Sequence, residues 1–297
     1  MPGLSPVRGA GVEASRAAVR LVRLPLDLAA GSVEQLAGRL GRAMPGTGAE
    51  RDAPASADAG IPVLLVHGLA DGGSVVLPLQ RALGGLGMGP FVSVSYPAFS
   101  PDLRAVARAL GEQVELACTR STERTAVVIG YSLGGLIARY YVQRLGGDVH
   151  VPLVITLATP HSGTATALLA PPHPLLRQLR PGSELLTELA QPAAGCGTRF
   201  VAFYSDQDEA VIPAAKGRID HPDLMVRNVL VPGVGHLTLP LHRPVVDQVR
   251  SLLAAVQKAA ADADPARRGC PGQGRSGAAP GFPGDSRAAA EDSGGSR

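Results

Sequence analysis

Gly130-Tyr131-Ser132-Leu133-Gly134 places a serine between two glycines in the pattern G-x-S-x-G. In a chain this rich in glycine and serine, roughly 0.3 such matches arise by chance, so surroundings must decide its meaning. Here the apolar run Ala126-Val127-Val128-Ile129 precedes it and an apolar-periodic stretch follows, the strand–turn–helix setting of a serine nucleophile. A tight strand-to-helix turn leaves no room for side chains at Gly130 and Gly134. Such a turn lifts the Ser132 hydroxyl off the sheet and onto a helix N-terminus. There the N–H of Leu133 and the positive end of the helix face a developing oxyanion. The bland alternative is a glycine-rich turn with a helix-capping serine.

Neutral serine is a poor nucleophile, so Ser132 requires a base, and the base requires an orienting acid. On sheets that carry such a turn, the acid and then the histidine follow the serine in chain order. His150, His161, His173, His221, His236 and His242 all follow it. His236 lies in Gly233-Val234-Gly235-His236-Leu237, a glycine-rich loop after the last strand-like run, where a base is presented most easily. His161, in Thr159-Pro160-His161-Ser162-Gly163-Thr164, is its main competitor, but it comes too early in chain order. For the acid, Ser205-Asp206-Gln207-Asp208-Glu209 offers several carboxylates. Asp208 is preferred over Asp206, while Asp206 and Glu209 read as solvated loop charges. Upstream, Val66-His67-Gly68-Leu69-Ala70-Asp71 follows the first strong apolar run. Gly68 gives its backbone freedom, and the N–H of Leu69 is the expected second oxyanion donor. His67 reads as a ring that hydrogen-bonds loop backbone.

These residues require a sheet to carry them. Strand-like runs at Ile61–Val66, Phe91–Ser95, Ala126–Ile129, Leu153–Leu157, Phe200–Tyr204 and Val226–Val231 alternate with helical stretches near Val75–Leu83, Leu103–Cys118, Ser132–Leu145 and Pro244–Ala260. Short continuous Val/Ile/Leu strands between helices indicate a buried parallel sheet, with ligands at the carboxyl ends of its strands. The fold class is therefore α/β, a mostly parallel central sheet flanked by helices. Three regions follow: an N-terminal helical extension and linker over 1–60, a catalytic domain over 61–260, and a polar, disordered tail over 261–297. Between Gly163 and Gly197 an insertion carries Leu175, Leu176 and Leu179, then Leu185, Leu186 and Leu189, with Pro181-Gly182 between them. Those leucines line an acyl pocket under a moving lid, or they pack a fixed cap onto the domain.

At 297 residues and 45% hydrophobic, the chain can bury one sizeable catalytic core. A net charge of only +3 with no dense basic block gives no support to a nucleic-acid partner. Cys118, Cys196 and Cys270 show no metal-ligand spacing, so no metal or other cofactor is expected. Free thiols are the plain reading, with a Cys118–Cys196 bridge conceivable only in an exported protein. No segment reads as a signal peptide or membrane span, so the chain as written reads as cytoplasmic. Residues 16–40 offer one route to a membrane surface, because Arg16, Arg20 and Arg23 interleave with Val19, Leu21, Val22 and Leu24. The alternative is a helix packed on the domain.

Over about residues 61–255 the chain resembles bacterial lipases and esterases of the α/β-hydrolase superfamily. The resemblance rests on His67-Gly68-Leu69-Ala70-Asp71, on Gly130 through Tyr140, on Thr159-Pro160-His161-Ser162-Gly163-Thr164, on Asp208-Glu209-Ala210-Val211-Ile212-Pro213 and on Gly235-His236-Leu237. It implies a Ser132, His236 and Asp208 triad that cleaves carboxylic esters through an acyl-enzyme, and the leucine-rich insertion with no charged pocket signature favours a lipidic or medium-chain acyl group. The same triad would also serve an acyltransferase or thioesterase. A non-catalytic, membrane-associated scaffold of the same fold is a different class, and it would have no use for the triad. Many such lipases carry a signal peptide, and none is visible here.

Overall fold

The computed structural model describes residues 60–263 apart from 70, 72–73, 86–87, 98–99 and 171. The N-terminal extension, its amphipathic stretch 16–40 and the chain beyond residue 263 lie outside the described residues.

Six strands form one parallel sheet: β1 (Val63–Val66), β2 (Phe91–Val94), β3 (Val127–Tyr131), β4 (Leu153–Leu157), β5 (Arg199–Tyr204) and β6 (Met225–Leu230). Their spatial order is β2-β1-β3-β4-β5-β6. The order reverses at β1, so the loops leaving β1 and β3 diverge to opposite sides of the sheet and leave a crevice between them. Register pairs Val66 with Gly130, which sets the end of β1 beside the turn that follows β3.

Alternation along each strand divides the core between two faces. Leu64, Val66, Val128 and Val154 point to one face and pack with helices α2 (Leu103–Thr119) and α3 (Leu133–Arg144). Val63, Leu65, Val127 and Ile129 point to the other, against α1 (Val76–Leu83) and α7 (Arg243–Ala263). Burial on both faces is why β1 and β3 read as unbroken apolar runs and β4 as one interrupted only by Thr156. Helix α7 presents Val245, Val246, Val249 and Leu253 to the sheet at helical spacing. It continues to Ala263, into the segment expected to be a disordered tail.

The insertion after β4 forms three short helices, α4 (Thr166–Leu169), α5 (Pro174–Gln178) and α6 (Glu184–Leu189). His173 caps α5 by accepting the N–H of Leu175, and Ser183 caps α6 by accepting that of Leu186. Leu175, Leu179, Leu185, Leu186 and Leu189 are buried in the same core as α2 and α3. Their apolar faces are thus mostly occupied by packing, and of the six leucines expected there only Leu176 is partly exposed. Polar anchors add to this hold. The Arg104 guanidinium grips Glu188, which also accepts the Tyr140 hydroxyl at 2.9 Å. Buried Arg139 donates to the carbonyls of His161 and Leu189 at 3.1 Å each, and to Gln143 Oε1 at 3.0 Å.

Candidate active site

The turn between β3 and α3 is strained at one residue. Ser132 has φ 51° and ψ −120°, a region that L-residues avoid and that costs about 1–3 kcal/mol. Its neighbours explain why the chain accepts that cost. A Cβ on Gly130 would come within 2.5 Å of the Gly135 backbone, and one on Gly134 within 2.2 Å of the Val66 carbonyl oxygen. Gly135 is equally confined, since a Cβ there would meet Thr159 Oγ1 at 2.0 Å. Sequence reasoning passed over that third glycine; its only signal was the doubled glycine after the motif. Leu133 is the first residue of α3, so its N–H has no carbonyl one turn earlier to receive it.

The structure brings Ser132, Asp208 and His236 together. His236 Nε2 lies 3.0 Å from Ser132 Oγ. On the other side of the ring, Nδ1 lies 2.9 Å from both Oδ1 and Oδ2 of Asp208. Asp208 Oδ1 also accepts the backbone N–H groups of Ala210 and Val211, each at 2.9 Å. The Asp208 side chain is only 2% exposed, so the carboxylate addresses the imidazole rather than solvent. Its loop is pinned to the start of the insertion, where Thr164 and Thr166 hydroxyls donate to the Ala210 carbonyl at 2.8 and 2.7 Å.

Of the neighbouring acidic side chains, Asp206 is exposed, as expected of a solvated loop charge, whereas Glu209 is half-buried, and each also accepts a main-chain amide. Asp206 Oδ1 accepts the N–H of Gly233 at 2.7 Å, and Glu209 Oε2 accepts the N–H of His236 at 3.0 Å. Ser205 Oγ accepts that of Val234 at 3.3 Å. Backbone donors in a glycine-rich loop without helix or sheet partners must find acceptors elsewhere, and the loop after β5 supplies them. Nothing in the sequence beyond nearness to Asp208 marks Ser205 or Glu209 for this task.

The loop after β1 packs directly on the nucleophile. A Cβ on Gly68 would lie 3.1 Å from Ser132 Cβ and 3.1 Å from Tyr131 Cε1. Leu69, which follows it, is partly buried against the core cluster that includes Leu133. His67 is engaged by its own loop and by Tyr96. Its Nδ1–H donates to the Gly68 carbonyl at 2.7 Å, and its ring stacks on Tyr96 with centroids 4.2 Å apart. Tyr131 tilts against the His236 ring at 5.3 Å. Burial first, then the charges of Asp71, Asp208 and Glu209, push the Tyr131 hydroxyl above the ordinary phenol range, which keeps it neutral.

His161 is elsewhere. It is 2% exposed, with Nε2 2.9 Å from Thr156 Oγ1, in the polar cluster around Arg139. Burial and then the Arg139 charge hold its imidazole well below its usual range, so it stays neutral. Cys118 and Cys196 are free thiols, so the bridge considered for them is not formed. Among the described residues no group of three or more His, Cys, Asp or Glu is placed to hold a metal ion. No helix there is long and apolar enough to cross a membrane.

Comparison with known proteins agrees with this architecture. The family model described as palmitoyl protein thioesterase matches residues 62–194, from β1 through the insertion. Among solved structures, the chain is similar to Aspergillus fumigatus lipase B, with 19% identity and a TM-score of 0.52 over 60% of this chain and 46% of that one. It thus spans less than half the length of that lipase. The mature Bacillus licheniformis lipase BlEst2 gives 16% identity and a TM-score of 0.53 over 70% of this chain and 96% of that one. The Paleococcus ferrophilus monoacylglycerol lipase gives 13% and 0.51 over 66% and 96%. At these identities the likeness is one of fold. No curated protein matches the chain at a significant level.

Proposed function

We propose that the chain, whose fold is similar to that of solved lipases and whose residues 62–194 match the palmitoyl protein thioesterase model, hydrolyses carboxylic esters through an acyl-enzyme on Ser132. One observation carries this reading: His236 stands between Ser132 Oγ and the Asp208 carboxylate, within hydrogen-bond distance of both.

In the first step Ser132 Oγ bonds to the acyl carbonyl carbon while its proton passes to His236 Nε2. The Nδ1–H donated to Asp208 fixes the tautomer that leaves Nε2 free to accept, and the buried carboxylate stabilises the imidazolium. The N–H groups of Leu69 and Leu133 hold the carbonyl oxygen as it becomes an oxyanion. Collapse breaks the bond to the leaving oxygen, which takes the proton from Nε2. Water then attacks the acyl-enzyme, giving its proton to the same nitrogen, and the acid departs with Ser132 restored.

A lipidic or medium-chain acyl group is supported by the lipases among the similar structures, not by the insertion leucines, which the core absorbs. A second reading, cleavage of an acyl thioester, draws specific support from the palmitoyl protein thioesterase match across β1, β3 and the insertion. The triad accommodates both, because the acyl-enzyme is the same and only the leaving group differs.

A series of p-nitrophenyl esters from acetyl to palmitoyl, run beside an acyl thioester, separates the two readings. Turnover is expected to favour medium or long chains and to vanish in Ser132→Ala; Ser132→Ala with full turnover would refute the assignment. Peripheral membrane contact through residues 16–40 belongs to the same proposal. It predicts that liposome co-sedimentation is lost when residues 1–60 are removed.

A further inference from the structure

We infer that Glu209 is a positioning residue for the base, holding the His236 backbone so that the imidazole meets Asp208 and Ser132 together. This rests on the reading of those three residues as acid, base and nucleophile.

The loop from Gly233 to His236 is held by side chains of the loop after β5 rather than by a regular ladder. Asp206 grips Gly233, at the far end, and Ser205 grips Val234. Glu209 alone takes the amide of His236 itself, at 3.0 Å. That bond fixes the peptide plane from which the imidazole departs. The ring must satisfy two partners on opposite edges, Asp208 at 2.9 Å and Ser132 at 3.0 Å. A small rotation of the plane shifts Nε2 by a large fraction of the tolerance of a hydrogen bond. A base held loosely spends less time in the geometry that proton transfer requires.

Gly235 fits the same purpose. A Cβ there would lie 3.2 Å from Glu209 Oε2 and 3.7 Å from Oε1, so the glycine lets the loop close onto the carboxylate. The carboxylate itself is half-buried, which shelters the bond from competing water. Glu209 has no part in the chemistry and touches no reacting atom; its effect is transmitted through the His236 backbone.

The test compares ester turnover and melting temperature of full-length Glu209→Ala, Glu209→Gln and Asp206→Ala. Glu209→Ala is expected to lose about tenfold in kcat with KM within about twofold, because the base is misplaced while substrate binding is not. Glu209→Gln retains an acceptor oxygen at the same reach, and is expected to recover to within about threefold of the parent. Asp206→Ala acts on Gly233 only and is expected to cost less than about threefold. Glu209→Ser carries the same expectation as Glu209→Ala and replaces it should the alanine variant not fold. The inference is overturned if Glu209→Ala turns over like the parent, if Glu209→Gln is as slow as Glu209→Ala, or if Asp206→Ala is as slow as Glu209→Ala. Ser132→Ala keeps the two claims apart: full activity there sinks the triad, whereas an inactive Ser132→Ala beside a normal Glu209→Ala sinks only the role of Glu209.

Discussion

Asp208 and His236 are joined at both carboxylate oxygens, each 2.9 Å from Nδ1, while Oδ1 is also fixed by the amides of Ala210 and Val211. The carboxylate is therefore pre-oriented before any substrate arrives, and Nδ1 is obliged to carry its proton. Asp208→Asn preserves shape but allows the amide to donate, which favours the wrong imidazole tautomer. Its kcat is expected to fall by roughly 10³ to 10⁴. Asp206→Asn keeps an acceptor for Gly233 and is expected to stay within about threefold of the parent. Steady-state kinetics of the pair decides which aspartate is the acid; equal losses would contradict the assignment.

Gly68 brings the loop after β1 against the nucleophile. A Cβ 3.1 Å from both Ser132 Cβ and Tyr131 Cε1 is tighter than ordinary contact but short of a backbone collision. Gly68→Ala is therefore expected to fold, with a thermal midpoint a few degrees lower, and to lose roughly tenfold in kcat as Ser132 or the Leu69 amide shifts. Gly134→Ala behaves differently, because its Cβ would lie 2.2 Å from a main-chain oxygen in the sheet. It is expected to lose stability before activity can be read. Thermal melts beside turnover separate the two, and an unaffected Gly68→Ala would remove the loop from the site.

His161 gives the fold a dependence on pH. Burial, followed by the charge of Arg139, holds its imidazole well below 6.5, so the folded protein keeps it neutral while the unfolded chain protonates it near that value. Below pH 6.5 the unfolded state binds more protons, and stability falls as pH falls; above that value this contribution is constant. The slope from one such group approaches about 1.4 kcal/mol per pH unit. Urea midpoints at pH 7.5 and 5.5 should show a smaller difference in His161→Gln than in the parent. Identical differences would place the acid sensitivity elsewhere.

Much of this arrangement was legible in the residues because it obeys local rules. Continuous apolar runs announced β1, β3 and, but for Thr156, β4, since burial on both faces removes the polar alternation. Ser132 and Gly134 could be read because a strand-to-helix turn imposes its glycines within five residues. The helices of the insertion were visible at Leu175–Leu179 and Leu185–Leu189, but not what their leucines face. Amphipathic spacing is the same for a pocket wall and a core, and only the packing against α2 and α3 distinguishes them. The roles of Asp206, Glu209 and Ser205 were hidden for a different reason. Each caps an amide 27 to 29 residues away, and no spacing rule governs contacts between two loops. Arg139 was unreadable in the same sense, since its partners are main-chain carbonyls that leave no trace in residue type.

The central claim is that Ser132, activated by His236, becomes covalently acylated. Treating the full-length protein with a fluorophosphonate and mapping the adduct by peptide mass spectrometry tests this most directly. The account predicts a stoichiometric adduct on Ser132, none in Ser132→Ala, and labelling slowed by roughly 10³ or more in His236→Ala. An adduct on another residue, or equal labelling of the parent and Ser132→Ala, would contradict it.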